Sequence, residues 1–289
     1  MIWQEITIAA PYEYVEPISY LFSRYGHGLS MELDGAGRVL FRTYLPNTSQ
    51  RRLARIEVGV RLVNLLHPLG ELTVRPLPQD EDWQNAWKAH FSLFKLGQHL
   101  VIKPSWIPYV AAAEDVVIDI DPGMAFGTGY HPTTYTCLEA LEQLLRTGME
   151  VLDLGTGSGI LAIAAVKLGA SHVVALDIDP EAVRAARQNL RRSGVAQRVS
   201  LSQGTVPHHL VGPGQFDLAV ANISARVVPG RAPFILPALK PSGFFIASGI
   251  MSGQQQEVGD ALRGAGFSLL RVLAREEWVS LVCRREPTS

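Results

Sequence analysis

Only two cysteines occur in 289 residues, Cys137 and Cys283. Neither has a companion at metal-ligand spacing, which excludes a disulfide scaffold and a cysteine-built zinc site. They read as two buried thiols of a reducing cytosol. An excess of charge of one sign is missing too: 26 Lys and Arg oppose 27 Asp and Glu, for a formal net charge of −1. That balance excludes a global basic field for bulk nucleic-acid binding and leaves only a local patch open. No apolar run approaches the ~20 residues that span a bilayer. The opening Met1-Ile-Trp-Gln-Glu5 lacks a basic segment followed by an apolar core, so no signal peptide is expected. The chain is therefore expected to be soluble and cytoplasmic. No internal repeat or low-complexity segment interrupts it.

What is present suits one large or two modest domains with a real core: 47% of residues are hydrophobic and 18% charged. In residues 1–77 the patterns predict strand, helix, strand, strand, helix, strand. Ile2, Gln4, Ile6 and Ile8 alternate with Trp3, Glu5 and Thr7. Val15, Ile18, Phe22 and Tyr25 then recur at helical spacing. Strands at Gly28–Leu33 and Arg38–Leu45 flank the hairpin signal Asp34-Gly-Ala-Gly37. Asn47-Thr-Ser49 is placed to cap a helix with Leu53, Ile56, Val60 and Val63 on one face, and Glu71–Leu77 closes the series. This is the ferredoxin-like order, a unit that packs or binds and carries no catalytic constellation.

Pro76-Leu-Pro78 and the acidic stretch after it mark a linker, residues 78–99, containing an amphipathic helix with Trp83 and Trp87 on one face. That helix either docks on the next domain or also positions domains and substrate. From Leu100 to the end, strands alternate with helices, as in a mostly parallel, doubly wound α/β sheet. Strands are expected at Leu100–Lys103, Val116–Ile120, Glu150–Leu154, His172–Leu176, Val199–Ser202, Leu218–Ala221, Phe244–Gly249, Phe267–Ala274 and Trp278–Arg284, the last two as an antiparallel hairpin. Helices are expected at Pro132–Arg146, Gly159–Leu168, Pro180–Ser193, near Val227–Leu239, and at Gln254–Ala265.

Chemistry is concentrated in three segments. The first is Val151-Leu-Asp-Leu-Gly-Thr-Gly-Ser-Gly-Ile160, an apolar strand running into Gly155, Gly157 and Gly159 and then a helix. Asp177 follows Gly155 by 22 positions, at the end of the next apolar run, where a Rossmann-like sheet holds the hydroxyls of a ribose. The spacing is not the G-x-G-x-x-G of dinucleotide binders, because position 160 is Ile, and no Lys-Ser/Thr follows to make a P-loop. It resembles motif one of class I S-adenosylmethionine methyltransferases, whose cofactor has a ribose and an adenine but no phosphate. Thr156, beside the glycines, and Ile178, beside Asp177, are the adjoining candidate contacts. Asp153 faces either loop amides or the cofactor's ammonium.

The second segment is Asp121-Pro-Gly-Met-Ala-Phe-Gly-Thr-Gly-Tyr-His-Pro-Thr-Thr134, a glycine-rich loop ahead of a helix, read as a cofactor lid. Phe126 would stack on adenine or cover the methionine portion, with Gly127 next to it. Thr133 and Thr134 fall in the first helical turn, where hydroxyls and free N–H groups face a ligand. His131, before a proline at a helix start, reads as a structural hydrogen bonder and not a base. The third segment is Asp217-Leu-Ala-Val-Ala-Asn-Ile-Ser224, an apolar strand ending in Asn222 at the ligand-binding edge. An amide there can accept a hydrogen bond from a substrate amine. The Asn-Pro-Pro-Tyr of glutamine and adenine methylating types is not present, since Ile223 and Ser224 follow.

Taken together, Phe126-Gly-Thr-Gly129, His131-Pro-Thr-Thr134, the glycine strand, Asp177-Ile-Asp-Pro180 and Ala221-Asn-Ile223 resemble the bacterial methyltransferases of large-subunit ribosomal protein L11. Trp83, Trp87-Lys88, Ser248-Gly-Ile250, Gln256 and Glu277-Trp278 share in that resemblance, which covers roughly residues 80–284. Tyr130, Gln203-Gly-Thr205 and Ser224-Ala-Arg226 depart from the usual pattern of the family. The resemblance implies S-adenosylmethionine as cofactor, contacted by Thr134, Gly155, Asp177 and Asn222. Asn222, from its place at the strand tip, is the candidate residue for transfer, and the resemblance implies that lysine side chains and the N-terminal amine of protein L11 are methylated. It further implies that residues 1–77 recognise that partner, that the linker swings a catalytic domain of residues 100–289, and that neither nucleic acid nor membrane is required. No metal is called for. A methyltransferase of another protein or of a small amine, a cofactor-binding regulator without catalysis and a nicotinamide dehydrogenase are the competing readings.

Overall fold

The computed structural model describes residues 3–11, 14–33, 38–65, 68–77, 92–120 and 131–286. The helix expected around Trp83 and Trp87, the Asp34–Gly37 hairpin and the loop carrying Phe126, Gly127 and Tyr130 lie outside the described residues. The chain divides into two compact units, the described residues through Leu77 belonging to the first and those from Ser92 onward to the second.

In the first unit β1 (Trp3–Pro11), α1 (Val15–Tyr25), β2 (His27–Leu33), β3 (Arg38–Pro46), α2 (Gln50–Asn64) and β4 (Thr73–Pro76) follow in the expected order. The sheet runs β2-β3-β1-β4, antiparallel at each pairing. Alternation along β1 buries Gln4, Ile6, Ile8 and Ala10 on one face. The helices cover that face with Val15, Ile18 and Phe22 from α1 and Leu53, Ile56 and Val60 from α2. Phe22 meets Phe41 of β3 edge-on, ring centroids 6.2 Å apart. Val63 is only half-buried, and Ser49 occupies the N-cap of α2 without a side-chain cap bond.

The second unit begins with a three-stranded sheet, β5 (Phe94–Leu96), β6 (Leu100–Lys103) and β7 (Val116–Asp119). The pattern along the chain does not announce β5, because three residues are too few to show a period. There follow α3 (Pro132–Leu144), β8 (Glu150–Leu154), α4 (Ile160–Lys167), β9 (His172–Asp177), α5 (Pro180–Arg192), β10 (Val199–Gln203), β11 (Phe216–Asn222), α6 (Val228–Ala238), β12 (Leu239–Met251), α7 (Gln255–Gly264), β13 (Phe267–Arg275) and β14 (Trp278–Arg285). Seven strands form one sheet in the order β10-β9-β8-β11-β12-β14-β13, and β14 alone runs against the others.

Successive residues of each central strand enter cores on opposite faces. Val151 and Val220 join the cluster under α3 and α4, and Leu152 and Ala221 join the cluster under α6 and α7. The chain moves outward from β8 through β9 and β10, then returns to β11 on the other side of β8. Strand order therefore reverses between β8 and β11, the point where open α/β sheets bind ligands at their carboxyl ends. Among the described residues no helix is long and apolar enough to cross a membrane.

Candidate functional site

The carboxyl ends of β8 and β9 are tied together through backbone groups. The amides of Gly155 and Thr156 both donate to the Leu176 carbonyl, at 2.8 and 3.0 Å. Gly157 N–H donates to Asp177 Oδ2 at 2.9 Å, and Asp179 N–H donates to Asp177 Oδ1 at 2.9 Å. Asp177 thus holds the glycine turn and the entry to α5 at once. Each of its oxygens keeps acceptor capacity beyond the bond it already makes, enough for a neighbouring pair of hydroxyls. Burial raises its pKa, with the Asp179 charge adding to the rise and the backbone donors opposing it. Ile178 beside it is 72% exposed, an apolar surface at the sheet edge where a flat ring can lie. Gly155 has φ +75°, and a Cβ there would stand 2.3 Å from Ile223 Cγ2. Both the conformation and the space require glycine.

Asp153 lies beneath this turn with no exposed surface. Thr156 Oγ1 donates to its Oδ2 at 2.6 Å, while Oδ1 is buried without a hydrogen-bond partner. Burial is the main cause that raises its pKa to about 7, with the Asp177 charge contributing. An unpartnered buried carboxylate oxygen is costly, which favours the neutral acid or a hydrogen-bond donor from outside the chain. Of the two roles left open for Asp153, Oδ2 serves the loop, through a hydroxyl and not an amide, while Oδ1 has no hydrogen-bond partner.

On the other side of the reversal point, the first turn of α3 faces the ends of β11 and β12. His131 is the N-cap, its Nδ1 accepting from Thr133 N–H at 3.3 Å and lying 2.8 Å from Thr133 Oγ1. Its ring packs edge-on against Trp278, centroids 4.9 Å apart, and burial lowers its pKa to about 4. His131 is therefore a neutral cap, as a structural hydrogen bonder should be. The Thr133 amide is correspondingly not free for a ligand, contrary to expectation, because the preceding histidine reaches it first. Thr133 and Thr134 are both buried. Asn222 Nδ2 donates to Thr134 Oγ1 at 3.4 Å, which leaves Oδ1 as the acceptor at the tip of β11.

The family model described as Ribosomal protein L11 methyltransferase (PrmA) matches residues 2–286. The chain belongs to this methyltransferase family. It is 40% identical to the ribosomal protein L11 methyltransferase of Chloroflexus aurantiacus over 322 aligned positions, covering 98% of each chain. Its namesake from Pelotomaculum thermopropionicum is also 40% identical, over 98% of this chain and 99% of the other. Among solved structures, the ribosomal protein L11 methylase of Lactobacillus delbrueckii subsp. bulgaricus is similar at 34% identity and a TM-score of 0.63. That match covers 68% of this chain and all of the other.

Within this family frame, the structure gathers Thr134, Gly155, Thr156, Gly157, Asp177, Ile178 and Asn222 along the carboxyl edge of β8, β9 and β11. Phe126 and Gly127 lie outside the described residues. The sequence assigned no role to Thr136, Ser248 and Ser280, which are buried beside Thr133. Ser248 and Ser280 do carry a signal, being buried hydroxyls within the apolar stretches Phe244–Ile250 and Trp278–Cys283.

Proposed function

We propose that this protein transfers methyl groups from S-adenosylmethionine to amines of ribosomal protein L11, at lysine side chains and the N-terminus. The observation that carries this reading is the Asn222 amide, pinned by Thr134 with its oxygen left as an acceptor beside the glycine turn. The residues present fit the cofactor. Asp177 offers acceptors for the ribose diol, Ile178 an apolar surface for adenine, and Asp153 Oδ1 an anionic acceptor for the ammonium. The bound cofactor supplies an electrophilic methyl group on a cationic sulfur.

Asn222 Oδ1 would accept a hydrogen bond from the incoming amine and so aim its lone pair. Only a neutral amine has that lone pair, and a lysine of pKa ~10.4 is neutral about once in 2,500 molecules at pH 7. Burial beside a cation lowers that pKa, so no dedicated base is needed. Rate would come mainly from alignment at near-contact distance. Residues 1–77 would recognise the protein substrate, residues 78–99 would link, and residues 100–289 would carry the chemistry.

Incubation with labelled S-adenosylmethionine and isolated protein L11, followed by mass spectrometry of the product, tests the reading. Methyl groups on lysines and the N-terminal amine are expected. Cofactor binding without transfer to protein L11 would leave a methyltransferase of some other amine.

A further inference from the structure

Strand β12 departs from regular pairing beside the site. Its ladder with β14 pairs Ala247 with Leu281 and next Ile250 with Val279, so Ser248 and Gly249 together stand opposite Ser280. This is a β-bulge, a device that re-aims side chains next to functional sites. Gly249 has φ +78°, and a Cβ there would lie 2.1 Å from the Ile223 carbonyl oxygen. On its other side Ser248 pairs with Asn222 of β11. The bulge therefore sits beside the proposed methyl-transfer residue.

Three buried hydroxyls meet at this bulge. Ser280 Oγ donates to Ser248 Oγ at 2.6 Å, and Ser248 Oγ donates to the Thr133 carbonyl at 3.4 Å. Thr136 Oγ1 lies 2.6 Å from Ser280 Oγ. Each hydroxyl has one proton. Thr136 Oγ1 also donates to the Thr133 carbonyl at 3.1 Å and the Pro132 carbonyl at 3.2 Å, so its one proton serves the first turn of α3 directly. The chain of donation thus runs from Ser280 to Ser248 to the Thr133 carbonyl, the carbonyl that Thr136 also holds. That carbonyl belongs to the peptide bond leading into Thr134, whose hydroxyl accepts from Asn222.

We infer that Ser248 and Ser280 are positioning residues for methyl transfer. Their hydroxyl chain fixes the Thr133–Thr134 peptide, and through the Thr134 hydroxyl it fixes which way the Asn222 amide faces. The inference rests on the role given to Asn222 above. Buried hydroxyl networks with every member satisfied rigidify their surroundings. Here the groups made rigid are the first turn of α3 and the end of β11. Of the cofactor contacts expected above, those through Asp177 and the glycine turn lie on β8 and β9, away from this chain, and only Thr134 and Asn222 adjoin it. Loss of the chain should therefore disturb transfer more than cofactor affinity.

Ser280→Ala and Ser280→Thr separate this from simple packing. For Ser280→Ala, turnover on protein L11 should fall about tenfold through misalignment, with the cofactor dissociation constant within about twofold of wild type. Ser280→Thr keeps the hydroxyl on a residue suited to strands and should recover most of the turnover. Wild-type turnover in Ser280→Ala overturns the proposal. So does a parallel loss of turnover and cofactor affinity that Ser280→Thr does not repair.

A second readout needs no substrate. The side-chain NH2 resonances of Asn222, assigned by their loss in Asn222→Ala, should move in Ser280→Ala toward those of solvent-exposed asparagines. Unmoved resonances overturn the hydroxyl chain. An inactive wild-type protein whose Asn222 resonances still move would instead sink the methyl-transfer reading and leave the chain standing. If Ser280→Ala does not fold, Ser248→Ala removes the link to the Thr133 carbonyl and takes the same measurements.

Discussion

The two halves of the site are built from different materials. Around β8 and β9, positions are set by the backbone: the Gly155 and Thr156 amides on the Leu176 carbonyl, and two peptide N–H groups on Asp177. Around β11, β12 and the start of α3, they are set by side chains: His131 on Thr133, Asn222 on Thr134, and serine hydroxyls on Thr133 and on each other. The first construction makes a fixed cradle whose donors cannot rotate. The second has torsions that must be held, so every rotor in it has a partner. Holding a cofactor calls for the former, and aiming a lone pair calls for the latter.

Substitutions that hit one half and spare the other would sharpen this contrast. The largest effect is expected for Gly155→Ala, which combines a left-handed backbone, costing about 1–2 kcal/mol for an L-residue, with the collision against Ile223. Cofactor affinity, measured by calorimetry, should fall by at least about 100-fold, equivalent to roughly 2.7 kcal/mol. Retained affinity would show that the turn is not the cradle. Next comes Asn222→Ala. Turnover should drop about 100-fold, the loss typical of removing one transition-state hydrogen-bonding group, with little change in cofactor affinity. Asp177→Ala is its mirror image. Two lost hydrogen bonds to a charged group, about 1.5–3 kcal/mol each, should weaken the cofactor by about 100-fold or more, with turnover at saturation kept. Equal effects of the two variants on both quantities would erase the distinction between halves.

A smaller effect compares two titrating groups, one under each half. Asp153 is raised from 3.8 to about 7, so between about pH 4 and 7 the native chain binds a proton that the unfolded chain has released. Its contribution to the stability of the cofactor-free protein therefore declines as pH rises through that window. His131 is lowered from 6.5 to about 4, so below pH 6.5 the unfolded chain takes the proton first. Its contribution declines as pH falls. The slopes oppose each other over nearly the same range. Asp153→Asn should leave the His131 slope alone, giving a melting temperature that climbs from pH 4 to 6.5 and exceeds wild type at pH 8. A melting profile that matches wild type at every pH would remove Asp153 as a destabilising buried charge.

The same division explains what could be read from the chain. Gly155, Gly157 and Asp177 were visible because backbone requirements leave a local mark: glycines at fixed spacing and an acid at the end of the next strand. The strands of the large sheet were visible for a similar reason, since runs such as Val151–Leu154 and Leu218–Ala221 are short, apolar and bounded by turn residues. Asn222 stood out by ending such a run. The hydroxyl chain did not show. Ser248 lies 115 residues from Thr133, and Ser280 lies 144 residues from Thr136, so their meeting depends on strand order and on a bulge that no local pattern encodes. His131 gave the correct role, but its consequence, an occupied Thr133 amide, needed the cap geometry.

Ile223 sits between the two halves, touching each with a different part of itself. Its side chain blocks a methyl group at position 155, and its carbonyl blocks one at position 249. Compensation between these positions must therefore be lopsided. A smaller residue at 223 opens space for Gly155→Ala, so sequences can drift along that pair together. No residue at 223 removes its own carbonyl, so position 249 has no second site through which its glycine can be released.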